Sequence, residues 1–411
     1  MRFTSLLLLL VLSSCNKPKP TTCSADSTWI TNPTMPSEVA SAETFCDFYQ
    51  FSWQWFLAQV SPDNESDELV LFQNRVYQPN GGTDQCDNEA VTGLQGAMQS
   101  ILKRAIKPSD FEDQQADGNA VYDQNGNILY FNVFYSQQLC DAKSDGFVKG
   151  TLEVKVSWRI VPEDTPHEYF TVKAMIPDND DEVTLGMLGI HLAIWTPNHP
   201  EMIWATWEHK ANAPLCDGSS HSGTWTLSSQ ESAECLKENP QNQSGLPNSE
   251  CDSFKFNTPE SQIGTPASTG EPNNVCREYA YGNQDVASVN GNDNTANLNA
   301  IKELNEALVG TDGLLTKLPE DNPMHVWSNY EMIGGLWTKD GAESGSPPVP
   351  SKQGEPNVDS PQRGSLELTN MSMETFQQGD SSFVPNCFGC HNYKKDNPLG
   401  VSHISQFLIS E

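Results

Sequence analysis

Between residues 152 and 209 the chain carries the pattern that most restricts its fold. In Leu152–Ile160 apolar and polar side chains alternate at every position, so Val154, Val156 and Trp158 share one face of an extended strand and Glu153, Lys155 and Arg159 the other. Residues 170–176 repeat the alternation. Residues 185–195 are apolar on both faces, as a central strand requires, and residues 202–209 follow after the turn Pro197-Asn198-His199-Pro200. The connections are too short for crossover helices, so these four runs predict an antiparallel sheet. The fold class expected is α+β and β-rich: an antiparallel sheet body with peripheral helices.

Residues 37–60 place Phe45, Phe48, Tyr49, Trp55 and Phe56 at helical spacing and predict an amphipathic helix packed into the core. A second helix is expected over residues 93–107, stopped by Pro108, and a third over residues 297–309, closed by Gly310. Asp123-Gln124-Asn125-Gly126-Asn127 is a turn signal between two β-rich runs and predicts a hairpin. Residues 238–275 are rich in Pro, Asn, Ser, Gln and Gly and read as a loop, not a second core.

Near the C-terminus stands Cys387-Phe388-Gly389-Cys390-His391. C-x-x-C-H is the attachment string of a c-type haem: the two thiols form thioethers to the vinyl groups, and the adjacent His reaches the iron as proximal ligand. A zinc site would need further Cys or His at close spacing, and only His403 follows. One string implies one covalent haem c on Cys387, Cys390 and His391. The Pro- and Gly-rich residues 341–364 read as a linker, and the segment 365–411 after it is too short to fold alone. It is expected to pack on the sheet body 37–340 as a haem-binding segment.

The N-terminus predicts export. After Met1 and Arg2 comes the apolar run of residues 6–12, too short to span a bilayer, and then Leu12-Ser13-Ser14-Cys15. Small residues before a cysteine resemble a bacterial lipobox. Residues 1–14 read as a lipoprotein signal peptide, Cys15 as the acylated first mature residue, and residues 15–36 as a proline-containing tether that holds the protein to a membrane. With Cys15, Cys387 and Cys390 set aside, eight of the 11 cysteines remain: Cys23, Cys46, Cys86, Cys140, Cys216, Cys235, Cys251 and Cys276. An even remainder in an exported chain implies disulfides, in pairings that sequence alone does not choose. The expected location is the bacterial periplasm or cell surface. A net charge of −31 excludes nucleic acid as a general partner, and it would steer a cationic redox partner protein toward the surface.

Several strings resemble a group of bacterial exported proteins of the cytochrome c family. They are Val154-Lys155-Val156-Ser157-Trp158-Arg159, Gly189-Ile190-His191-Leu192, Ile203-Trp204-Ala205-Thr206-Trp207-Glu208-His209, Asn329-Tyr330-Glu331-Met332-Ile333-Gly334 and Leu368-Thr369-Asn370 with Met373-Glu374-Thr375-Phe376. The C-x-x-C-H and Ser402-His403-Ile404 complete the order, over residues 154–404. Trp207 stands where that group has Phe. The resemblance implies an exported haem protein and no known substrate.

The sixth iron ligand is open at this point. No Met follows His391, so His403 is the first candidate, Met373 (with Met371 beside it) the second and His191 the third, with five-coordinate iron as the remaining case. His191 and His209 lie on apolar strands, where a hydrogen-bonded core role is the common one. Glu208-His209 reads as an ion-pairing strand end. No G-x-S-x-G, H-E-x-x-H or P-loop string is present. The expected function is an electron-transfer monohaem cytochrome. Two alternatives are a haem enzyme with Glu208, His209 or Arg363 near an open iron face, and a β module that binds a ligand in a groove of Trp195, Trp204, Trp207 and Trp225.

Overall fold

In a computed structural model, the structure describes residues 22–78, 85–87, 89–99, 120–142, 146–165, 168–176, 181–220, 223–239, 250–258, 267–282, 292–341, 361–378, 386–391, 393–394 and 397–408. The alternating runs do form strands, and all pairings in the sheet are antiparallel. The strands are β1 (Arg75–Val76), β2 (Tyr130–Tyr135), β3 (Leu152–Ile160), β4 (Thr171–Met175), β5 (Glu182–Thr196), β6 (His199–His209), β7 (Tyr330–Thr338) and β8 (Gln362–Gly364). The sheet order is β1-β2-β3-β5-β6-β7-β8. β5 is long enough to take β3 on one edge while its other edge holds β4 at residues 182–186 and β6 from Gly189 onward. Val154, Val156 and Trp158 are fully buried on one face, as the alternation requires.

Helices cover that face. The first begins at Phe45, not near Ser37, because Thr44 and Asp47 form a reciprocal capping box there. It runs to Gln59 and is buried almost all round, including Phe48, Tyr49, Trp53 and Phe56, each aromatic contributing about 1.5–3 kcal/mol on burial. Phe56 stacks on Trp207 of β6, with ring centroids 4.6 Å apart. The helix Asn294–Val309 starts three residues before its expected beginning, because the Asp293 side chain caps it by accepting from the Ala296 N–H. Asn305 on this helix exchanges two hydrogen bonds with the Met332 backbone and so ties it to β7. The helix at Gly93 is described to Gln99; its expected continuation to Lys107 lies outside the described residues.

The opposite face carries the C-terminal segment. Phe388, Val401, Ile404 and Leu408 pack with Ala193 of β5, Met202 and Trp204 of β6 and Leu336 of β7. The residues read as a linker end inside the sheet: β8 pairs Gly364 with Leu336, while residues 342–360 lie outside the described residues. The turn at Asp123 forms as expected, but its first arm is a single bridge, Tyr122 to Ile128, before β2 begins.

The eight remaining cysteines pair as Cys23–Cys46, Cys86–Cys140, Cys216–Cys276 and Cys235–Cys251. Four disulfides fit an oxidising compartment. Among the described residues no helix is long and apolar enough to cross a membrane. The leader of residues 1–14 and Cys15 lie outside the described residues, as does most of the tether.

Candidate functional site

Alternation along the strands builds the floor of a cleft. On the face opposite the helices, Glu153 and Lys155 of β3, His191 and Ala193 of β5 and Trp204 of β6 stand side by side, because Lys155 pairs with His191 and Ala193 with Trp204. The C-terminal segment closes over them with Cys387, His391 and His403, and the stretch after β8 adds Leu368, Thr369 and Glu374. The C-x-x-C-H thus comes to lie against the sheet. Cys387–Cys390 is one short turn of helix, capped by Asn386, whose side chain accepts from the Phe388 N–H and donates to the Leu366 carbonyl. Cys387 belongs to none of the four disulfides. The side chain of Cys390 lies outside the described residues.

His391 has a defined tautomer. Its Nδ1–H donates to the Val401 carbonyl at 2.8 Å, which leaves the lone pair on Nε2. Burial holds the imidazole well below its usual pKa, with the neighbouring His403 adding to the effect, so it is neutral. Trp204 lies against it with ring centroids 4.3 Å apart. This donor set suits a haem: a neutral His oriented by a backbone carbonyl beside a thiol at the required spacing. The enclosed part of the cleft is about 100 Å³, and about 820 Å³ is empty once its open mouth is counted. A porphyrin-sized group would therefore use the mouth as well as the enclosed part.

The three candidates for the sixth ligand lie in different surroundings. His403 reaches the site, but its ring lies flat on that of His391, centroids 3.9 Å apart and planes 14° apart. His403 thus lies in the cleft beside His391. Met371 and Met373 are fully buried in a separate cluster with Leu129, Phe131 and Leu188 and do not line the cleft. His191 does line it. Its Nε2 lies 3.0 Å from Glu374 Oε2, and Lys155 Nζ lies 3.6 Å from Glu374 Oε1. Burial raises the Glu374 carboxyl, but His191, Lys155 and the Asn370 N–H outweigh it and leave the pKa lowered, so Glu374 is ionised. His191 Nε2 is thus directed at both oxygens of Glu374, at 3.1 and 3.0 Å.

Sequence reasoning missed Glu153, Lys155 and Glu374 as cleft residues. Glu153 accepts from Ser402 Oγ at 2.7 Å, and burial pushes its carboxyl up to about 7. The strand alternation held the signal: Glu153 and Lys155 fall on the polar face of β3, and that face is covered by the haem string.

The other candidates lie elsewhere. Glu208 is buried in an ion pair with Arg277, 2.7 Å away, as the strand-end reading expected. His209 donates to the Glu168 carbonyl and stacks on Tyr169, and burial lowers its pKa to about 4. Arg363 is on β8 and does not line the cleft. The tryptophans do not form one groove: Trp204 is in the cleft, Trp207 is in the core beneath the helices, and Trp225 lines a second cavity with Glu208 and Arg277.

Compared with protein-family models, with curated proteins and with solved structures, the chain finds no match in any of the three. The likeness to exported cytochrome c proteins thus rests on the quoted strings alone.

Proposed function

We propose that the chain is an exported monohaem c-type cytochrome that carries electrons and is held to a membrane by a lipid on Cys15. One observation carries the reading: His391 of the C-x-x-C-H is neutral, fixed through Nδ1 on the Val401 carbonyl, and faces a cleft that Cys387 also lines. Cys387 and Cys390 would hold the haem covalently and His391 its iron; bound there, the group supplies one-electron oxidation and reduction. The chain's own part is to orient and to tune. The Val401 carbonyl sets the tautomer of His391 and raises its basicity, and Trp204 and His403 confine its ring. His191, held by Glu374, is the cleft imidazole that stands apart from this stack and is now the first candidate for the sixth position.

A carrier is favoured over an enzyme because a single C-x-x-C-H stands in the chain without a G-x-S-x-G, H-E-x-x-H or P-loop string. The redox partner would be a protein with a cationic face, drawn by the net charge of −31. The test is a visible spectrum of the protein made in a host that attaches c-type haem. A six-coordinate, low-spin haem that cycles between oxidised and reduced forms supports the carrier. A five-coordinate, high-spin haem that binds small exogenous ligands would transfer the reading to a haem enzyme.

A further inference from the structure

A second cavity, of about 490 Å³, opens beside the C-terminal end of β6. It is bounded by Glu208, Asn212 and Trp225, by Arg277 and Tyr281, and by the outer side of the helix Asn294–Val309 at Lys302 and Glu306. None of the haem-string residues lines it. Its volume lies within the ~300–1,000 Å³ of small-molecule sites.

We propose that this cavity binds a neutral polyhydroxylated molecule, of the chemical class of a mono- or disaccharide. The inner wall has the charges of such a site already matched. Glu208 Oε1 receives Arg277 Nη2 at 2.7 Å and the Met371 N–H at 2.8 Å, and Oε2 receives Asn212 Nδ2 at 3.0 Å. Lys210 Nζ is bound to the carbonyls of Val309 and Ser328 at 2.6 and 2.8 Å. Burial also raises the Glu331 carboxyl and lowers the Lys210 ammonium toward their neutral forms. Glu208, Arg277 and Lys210 are thus already engaged by other groups of the protein.

What the wall does offer is neutral hydrogen bonding beside an aromatic face. Asn212 is 1% exposed, and its Oδ1 accepts no hydrogen bond from the protein although both bonds from its Nδ2 are made. A buried acceptor left without a donor is unfavourable, and a ligand hydroxyl would supply one. Tyr281, whose phenol burial pushes up to about 12, stays protonated, with Asn305 beside its hydroxyl. It sits at φ 56°, in the left-handed region that non-glycine residues occupy mainly under constraint. Trp225, 7% exposed, also lines the cavity.

The inference is independent of the haem, and the full chain serves to test it. Intrinsic tryptophan fluorescence and calorimetry would be followed while glucose, galactose, maltose, glutamate and lysine are titrated separately to 20 times a millimolar starting dose, on the order of the weakest useful affinity. Saturable binding of at least one of the sugars and of neither amino acid is expected. Two variants localise it. Ala213→Trp would fill the cavity from a partly buried lining position and should abolish binding, with a far-UV spectrum like the parent's showing that the fold is kept. Lys302→Ala, at the exposed rim, should weaken it by less than about tenfold. Saturation by glutamate or lysine alone, by none of the probes, or by a sugar that Ala213→Trp still binds, overturns the proposal.

Discussion

At the residue scale, the cleft is a set of buried titrating groups around one oriented imidazole. Glu153 is the clearest handle. Its carboxyl stands at about 7 in the folded protein against an ordinary value of 4.5, with burial the chief cause. The folded state therefore keeps a proton that the unfolded chain releases, and between those values stability falls as pH rises, by at most about 1.4 kcal/mol per unit. Glu153→Gln should remove this slope, so the variant loses less stability than the parent between pH 4.5 and 7 in urea titrations; two parallel profiles would refute it. Buried His209 has the opposite sign. Its value of about 4 leaves it neutral when folded, so its contribution is full above 6.5 and is lost as pH falls toward 4. The two cleft imidazoles other than His391 can be separated by spectrum: His191→Ala should convert a low-spin ferric haem to high spin, while His403→Ala should leave the spin state alone. The reverse result would restore His403 as the axial ligand. Little of this was legible in the sequence. His391 follows from its string, but Glu374 lies 183 residues from the His191 it holds, and only the fold brings them together.

At the element scale, the alternating strands β3 to β6 were legible because each buries one face or both, and period is the signal of burial. β7 was not. Its centre is Gly334-Gly335, which reads as a break in a strand. The structure gives the reason for these glycines: a Cβ on Gly334 would lie 2.3 Å from Ser365 Oγ, and one on Gly335 would lie 2.9 Å from the Trp204 carbonyl. The start of the first long helix was misplaced for a related reason, since the Thr44–Asp47 capping box outweighs the earlier Ser37. The segment after β8 holds two regions at once. Its Met371 N–H donates to Glu208 and its Thr369 carbonyl accepts from Arg277, while Glu374 holds His191 in the cleft. Arg277→Ala leaves buried Glu208 without its cation and should cost about 3–5 kcal/mol in chemical denaturation. A loss below about 1 kcal/mol would mean that the pair is screened and does not anchor the segment.

For the whole molecule, the sheet has helices on one face and the C-x-x-C-H segment on the other, with loops stapled by disulfides. The even count of eight cysteines was legible; their pairing was not, because it depends on which loops the sheet brings together. Cys216–Cys276 closes a separation of 60 residues around the second cavity, so Cys216→Ser with Cys276→Ser should cost about 4 kcal/mol. An unchanged thermal midpoint would show that the loop is held by other contacts. The packing of the C-terminal segment on the sheet, with Phe388 and Val401 against Trp204, was anticipated from its short length. The central claim is that this segment carries one haem. Its most direct test is the intact mass of the mature protein, made with a haem-attachment system, followed by peptide mapping. The account predicts one haem increment on the peptide that spans Cys387 to His391, absent after Cys387→Ser with Cys390→Ser. Recovery of that peptide without haem, with its two cysteines as thiols or as a disulfide, would contradict it.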